Sequence, residues 1–180
     1  MSVRAGVAGT AGWRRAPANP TPDPVVIIDY MNYELFMGEA LAEARLAGSR
    51  GAPAVGAIAV MNEAMVARAS NRVDESADPS AHAVVAVLRE AARKLGSPRL
   101  PDVTVFTTLE PCAMCVGAML ACDAEALVYA VPNPVDGAAG TVLQLARHPS
   151  LGHRLRVVSG IRRDEAEELA SPQPGAPSGA

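Results

Sequence analysis

The chain has 180 residues and a formal net charge of −3, with 49% hydrophobic and 19% charged residues. That balance excludes a disordered chain and predicts one domain with a substantial core, which must be aliphatic because only 3% of the residues are aromatic. The slightly negative charge excludes a global pull toward nucleic acid, so contact with RNA would need a local basic patch.

In chain order, residues 1–30 carry no periodic apolar pattern and read as a disordered leader, with no basic segment and long apolar run of the kind that directs secretion. After Met31-Asn32-Tyr33 helical spacing begins, with Leu35, Phe36, Ala40, Leu41, Ala44 and Leu46. Ala54 to Val60 and Met65 to Ala69 read as a strand pair turning at Asn62-Glu63. Asp78-Pro79-Ser80 is a helix start signal with Ser80 as the expected cap; the helix runs to about Leu95 and is stopped by Gly96-Ser97-Pro98. Val103 to Thr108 is a β-branched strand. Glu110-Pro111 then opens a helix carrying Cys112, Cys115, Ala118 and Met119, with Pro in its first turn.

Ala126 to Ala130 reads as the next strand, followed by a loop from Val131 to Gly137. A short helix around Thr141 to Ala146, a strand at Leu155 to Val158 and a helix at Asp164 to Ala170 complete the domain, and residues 171–180 read as a Pro/Gly/Ser-rich tail. Strands interleaved with helices predict an α/β fold, a three-layer α/β/α sandwich spanning residues 31–170. The most apolar stretch, Val116 to Val131, is broken by Asp123 and Glu125 and falls short of a membrane span.

Three cysteines, two of them in a C-x-x-C, make no disulfide framework and point to a reducing compartment, so a cytoplasmic location is expected. Cys112 and Cys115 at i, i+3 share one helical face, and His82 stands near the start of the preceding helix. Two helix N-termini converging at strand ends would favour anionic ligands. One His and two Cys leave a zinc ion one open position, the arrangement of catalytic rather than structural sites. A closed site using Cys122 is disfavoured, because that residue lies roughly 10 Å further along the helix axis. A redox pair and vestigial cysteines are the other readings of the same residues.

The order of motifs resembles the cytidine deaminase-like superfamily, and within it the tRNA adenosine deaminases. The resemblance runs from about Asn32 to Ala170 through Ala52–Ala57, Asn71, Asp78-Pro79-Ser80-Ala81-His82-Ala83, Thr108-Leu109-Glu110-Pro111-Cys112-Ala113-Met114-Cys115, Gly117-Ala118-Met119, Asp136–Gly140, His148-Pro149 and His153-Arg154. It implies Zn2+ held by His82, Cys112 and Cys115, a purine contact from Asn71, and a base pocket lined by backbone around Ala83. The implied reaction is hydrolytic deamination of adenosine to inosine. The signature of the class is H-x-E followed by P-C-x-x-C, with the Glu moving protons. Here that position is Val84.

Val has no titratable atom. Glu90, six residues along, falls on another helix face, and Glu110 reads as a helix N-terminal carboxylate, so neither is a substitute. The chain is thus expected to be weakly active or silent in its family reaction. One subunit of the eukaryotic heterodimeric tRNA deaminase similarly carries Val there, which implies the alternative of a noncatalytic partner subunit or RNA-binding module. An active deaminase of a free base or nucleoside is the third reading. The resemblance further implies a homodimer, or a heterodimer with an active deaminase, and tRNA or a nucleoside as substrate. Two departures bear on RNA: Gly152 precedes His153-Arg154 where the family usually has Asn, and Asp164, Glu165, Glu167 and Glu168 crowd the last helix.

Overall fold

The computed structural model describes residues 31–170. The expected leader at 1–30 and tail at 171–180 lie outside the described residues. Helix α1 (Tyr33–Ser49) is opened by Asn32, whose side-chain oxygen accepts the Leu35 amide at 3.0 Å. Strands β1 (Gly56–Met61) and β2 (Ala64–Ser70) pair antiparallel through a two-residue turn. Asn62 and Glu63 both adopt positive φ there, 50° and 59°, matching the twist of a tight hairpin.

A single helical turn, α2 (Val73–Ser76), leads to α3 (Ala83–Leu95), closed by Gly96 in the left-handed conformation. Then follow β3 (Thr104–Leu109), α4 (Ala113–Ala121), β4 (Ala126–Val131), β5 (Arg156–Ser159) and α5 (Arg163–Ala170).

The five strands form one sheet in the order β2-β1-β3-β4-β5. β1 runs antiparallel to β2 and β3, whereas β3, β4 and β5 are parallel. Alternate residues of the central strands serve opposite cores. Ile58, Val60, Phe106, Val128 and Ala130 meet Phe36, Met37, Ala40 and Leu41 of α1 and Ala166 of α5. Ala57, Ala59, Val105, Leu127 and Tyr129 meet α3 and α4 through Val84, Val87, Leu88, Val116 and Met119. This is the expected α/β/α sandwich. Covering both faces leaves β1, β3 and β4 almost uniformly buried. Gly56 lets α1 lie directly on β1, because a Cβ there would collide with the Ala40 carbonyl.

Three local expectations are corrected. Ser80 does not cap α3: its hydroxyl and amide both donate to the Asp78 carboxylate, at 2.6 and 2.8 Å, and the helix begins at Ala83 with His82 at the cap position. Pro111 precedes α4 rather than sitting in its first turn, since Cys112 is the cap residue. The segment 141–146 is not helical. Its amides turn back onto the preceding residues, Leu145 N–H to the Ala138 carbonyl at 3.0 Å, with a bridge between Ala139 and Gln144. Among the described residues no helix is long and apolar enough to cross a membrane.

Candidate metal centre and active site

His82 and Cys112 are the cap residues of α3 and α4, and Cys115 lies in the first turn of α4. The fold brings both helix N-termini to the carboxyl end of β3, and the three side chains meet there. The Nδ1 atom of His82 is 3.6 Å from each sulfur, and the sulfurs are 3.8 Å apart. A tetrahedral zinc site with Zn–S of about 2.3 Å and Zn–N of about 2.0–2.1 Å has edges of about 3.8 Å between sulfurs and about 3.6 Å from sulfur to nitrogen. The three donors therefore already occupy three corners of that tetrahedron. Cys122 is excluded from it. That residue closes the far end of α4, with its thiol on the Met119 carbonyl at 3.3 Å.

All three cysteines are free thiols. Burial, and then the neighbouring Cys112, push the Cys115 thiol well above the ordinary thiol range, while the Val85 amide acts weakly in the other direction. A thiol held protonated in this way is a poor redox nucleophile. A divalent cation inverts that preference, because it binds the thiolate and displaces the proton. The donor set and its tetrahedral spacing fit zinc.

Beside the three donors opens a cavity of about 400 Å³. Its walls include Ala83 and Val84 at the start of α3, Asn71 after β2, Val55 before β1, and Thr107, Leu109 and Glu110 at the end of β3. The residues expected to hold metal and to contact substrate thus share one hollow. Asn71 is 9% exposed; its amide donates to the Val55 carbonyl at 2.9 Å and its side-chain oxygen accepts the Val73 amide at 3.4 Å. The side-chain Nδ2 of Asn71 makes no hydrogen bond among the described residues. Val84 is 3% exposed and packs into the core that lines the cavity floor.

Glu110 does not act as a helix carboxylate. It is 1% exposed and turns away from α4 into the loop after β4. Its two oxygens accept the amides of Asn133 at 3.1 Å, Ala139 at 2.9 Å and Thr141 at 3.1 Å, together with the Thr141 hydroxyl. Burial alone would raise its pKa, but these four donors outweigh it and hold the carboxyl below its ordinary value. Gly137 is required at this crossing, since a Cβ would stand 2.5 Å from the Asn133 carbonyl oxygen and 2.5 Å from the Glu110 carboxylate.

Residue 137 also bridges Cys112, so the anchored loop forms one wall of the metal end of the cavity. It brings in Asn133 and Asp136, and α2 brings in Asp74. Sequence reasoning gave none of these a role at the site, although the N-P-x-D-G turn signal marked the loop as sharply folded.

The cytidine and deoxycytidylate deaminase zinc-binding region matches residues 31–131 of this chain. The tRNA-specific adenosine deaminase of Bacillus subtilis is 37% identical over 138 residues, 77% of this chain and 86% of the relative. A solved structure from work on A-to-I editing by tRNA:A34 deaminases at the tRNA wobble position superposes with a TM-score of 0.73 at 38% identity, covering 75% of this chain and 98% of the other. Guanine deaminase from Bacillus subtilis superposes with a TM-score of 0.55 at 37% identity, over 57% of this chain and 66% of its own. With its paired thiols and histidine inside the matched region, the chain belongs to the cytidine and deoxycytidylate deaminase zinc-binding family, as a tRNA adenosine deaminase-like member.

Proposed function

We propose that this chain is a zinc-binding deaminase-family protein whose own pocket is weakly active or silent in converting adenosine to inosine. The observation that carries the reading is Val84, which faces the cavity from the first turn of α3 beside His82, Cys112 and Cys115. His82, Cys112 and Cys115 would hold zinc, which when bound supplies Lewis-acid activation of water. Asn71, with the backbone at Ala83, would orient the base, and the apolar walls would exclude bulk water. No residue on the α3 wall can take the proton of the attacking water and return it to the ring.

The other carboxylates support this reading. Glu90 is spent on the far side of α3's first turns, paired with Arg93 and with Lys94 at 3.6 Å. Glu110 is committed to four loop donors. Among the described residues, the group of donor atoms within 4.8 Å of one another contains His82, Cys112 and Cys115 and no carboxylate. A positioned acid/base group is worth about 10²–10⁴ in rate, and a deaminase uses the same group more than once.

The surface supports a partner role in a dimer. Helix α4 has no charged residue, yet Ala113 and Met114 are exposed on it, and Val135, Val142 and Leu143 of the neighbouring loop are at least half exposed. A helix so apolar on its outer face fits a dimer contact, with a second copy of this chain or with an active deaminase. Free thiols fit a cytoplasmic setting. The test is inosine formation by the zinc-loaded chain, alone and with an active deaminase of the same cell. Turnover by the chain alone at ordinary enzyme rates, roughly 1–10³ per second, would overturn the silent reading.

A further inference from the structure

One stretch of the cavity wall has little of its own to hold it in place. Helix α2 is four residues long, buries none of them and has no side-chain cap. Its Val73 and Asp74 nevertheless line the cavity beside Asn71. A helix of one turn with no buried face is not stable by itself. Among the described residues, the polar contacts of residues 72–77 mostly stay within the segment 71–81. The Asn71 side-chain oxygen accepts the Val73 amide at 3.4 Å, the Arg72 amide donates to the Ala81 carbonyl at 3.1 Å, and the Asp78 amide donates to the Val73 carbonyl at 3.2 Å.

The tie from α2 to the rest of the fold is Arg50, the residue that closes α1. Its Nε lies 3.3 Å from a carboxylate oxygen of Glu75 on α2, and its Nη2 donates to the Ser70 hydroxyl at 2.8 Å. Ser70 is buried at the end of β2 and pairs with Gly56 of β1, so that end of the strand is fixed in the sheet. One planar guanidinium thus grips the residue before Asn71 and the helix after it. The other partner of Glu75, Arg72 at 3.8 Å, belongs to the same segment and anchors nothing outside it. A lysine would present one compact ammonium in place of the two-sided fork. Arg50 itself does not line the cavity.

We propose that Arg50 is a positioning residue: by clasping Ser70 and Glu75 it ties α2 to the ends of α1 and β2, and so sets where Asn71, Val73 and Asp74 stand at the cavity. The inference rests on the reading of Asn71 as the group that orients a base, and it requires no turnover. Hydrogen bonds from a charged donor are stronger than neutral ones, so this clasp outweighs the weak contacts inside the segment. Without it the segment spends more time displaced, and only the fraction in place can bind.

The test is amide hydrogen exchange of the zinc-loaded full chain, with calorimetric titration of adenosine, for wild type, Arg50→Ala, Arg50→Lys, Glu75→Gln and the double variant Arg50→Ala, Glu75→Gln. Arg50→Ala should speed exchange at Arg72 and Asp78 by about tenfold, as expected for losing a hydrogen bond to a charged group, while amides of β1 and β3 keep their wild-type rates. Adenosine affinity should fall by at least about threefold at an unchanged unfolding midpoint. Arg50→Lys should recover part of both effects, and Glu75→Gln should add nothing to Arg50→Ala, because the two residues act through one contact. Unchanged exchange at Arg72 and Asp78 would overturn the proposal, and so would additive effects of the two substitutions. Equal acceleration throughout the sheet would reduce Arg50 to a general stabiliser and overturn it as well, as would faster local exchange with adenosine affinity intact. If adenosine fails to bind the wild type, the reading of Asn71 falls, while the exchange rates and the double variant still decide whether Arg50 holds α2.

Discussion

The Glu110 carboxylate accepts the Ala139 amide at 2.9 Å, joining the end of β3 to the loop that follows β4. This contact and three further donors to the same carboxylate fix the wall opposite α3, and they do so without a cation. The ionised oxygens are satisfied by amides and a hydroxyl that would otherwise be buried and unpaired. One residue before Pro111 thereby sets where Gly137 meets Cys112.

Replacing Glu110 by Ala should cost about 3 kcal/mol or more, because several buried N–H groups lose their acceptor together. Glu110→Gln should cost less but remain destabilising, since its NH₂ group faces donors. Denaturant unfolding measures both. Amide exchange at Asn133, Ala139 and Thr141 should accelerate in each variant, and unchanged exchange there would remove the anchoring role.

Zinc should copurify at about one per chain, given donors already at tetrahedral spacing. His82→Ala should lower zinc affinity by at least about 100-fold, beyond the 10–100-fold typical of losing an outer-shell partner. Chelation should lower the Tm of the wild type and leave that of His82→Ala nearly unmoved. A metal-free preparation that readily forms a Cys112–Cys115 disulfide would restore the redox reading.

The sandwich, the strand positions and the metal donors were legible because each is written locally: apolar strands flanked by turn signals, and a His and a C-x-x-C at helix starts. Asn62-Glu63 was readable as a turn for the same reason. The misreadings share a physical origin in polar side chains whose partners lie elsewhere in the chain or compete with a local rule. Ser80 looked like a cap until Asp78 claimed its hydroxyl. Glu110 looked like a helix carboxylate because its partners lie 23 to 31 residues away, across a parallel crossover. Residues 141–146 had helical composition, but their amides are used by that carboxylate and by Ala138. Asp74 and Asp136 reach the cavity only because two loops converge there.

The turn before α3 carries a pH dependence of known sign. The Ser80 hydroxyl and then its amide hold the Asp78 carboxyl below its ordinary value of 3.8, against a smaller opposing effect of burial, and Arg89 adds to the depression. A depressed carboxyl stabilises the fold above its unfolded pKa, and that contribution is lost as pH falls through the folded pKa. Asp78→Ala should therefore be less stable than wild type from neutral pH down to about pH 4–5, and the difference should shrink in stronger acid. A difference constant to pH 2 would assign the effect to packing instead of charge.

Val84→Glu should raise deamination by at least about 10²-fold, the lower range for supplying a positioned acid/base group. The side chain at this position starts from the first turn of α3, beside His82, and faces the cavity that Cys112 and Cys115 border. A carboxylate there extends toward the same space, where it can accept the proton of an attacking water and pass it to the ring. The substitution also buries a charge in a site now occupied by a 3% exposed Val, so a lower Tm without zinc is expected, recovered in part on zinc loading. The measurement is inosine formation from adenosine and from an anticodon stem-loop, for both proteins at equal zinc content. No gain on either substrate, with zinc bound and the fold intact, would show that Val84 is not the only missing part of the reaction, and the Asn71 side of the cavity would be the next place to change.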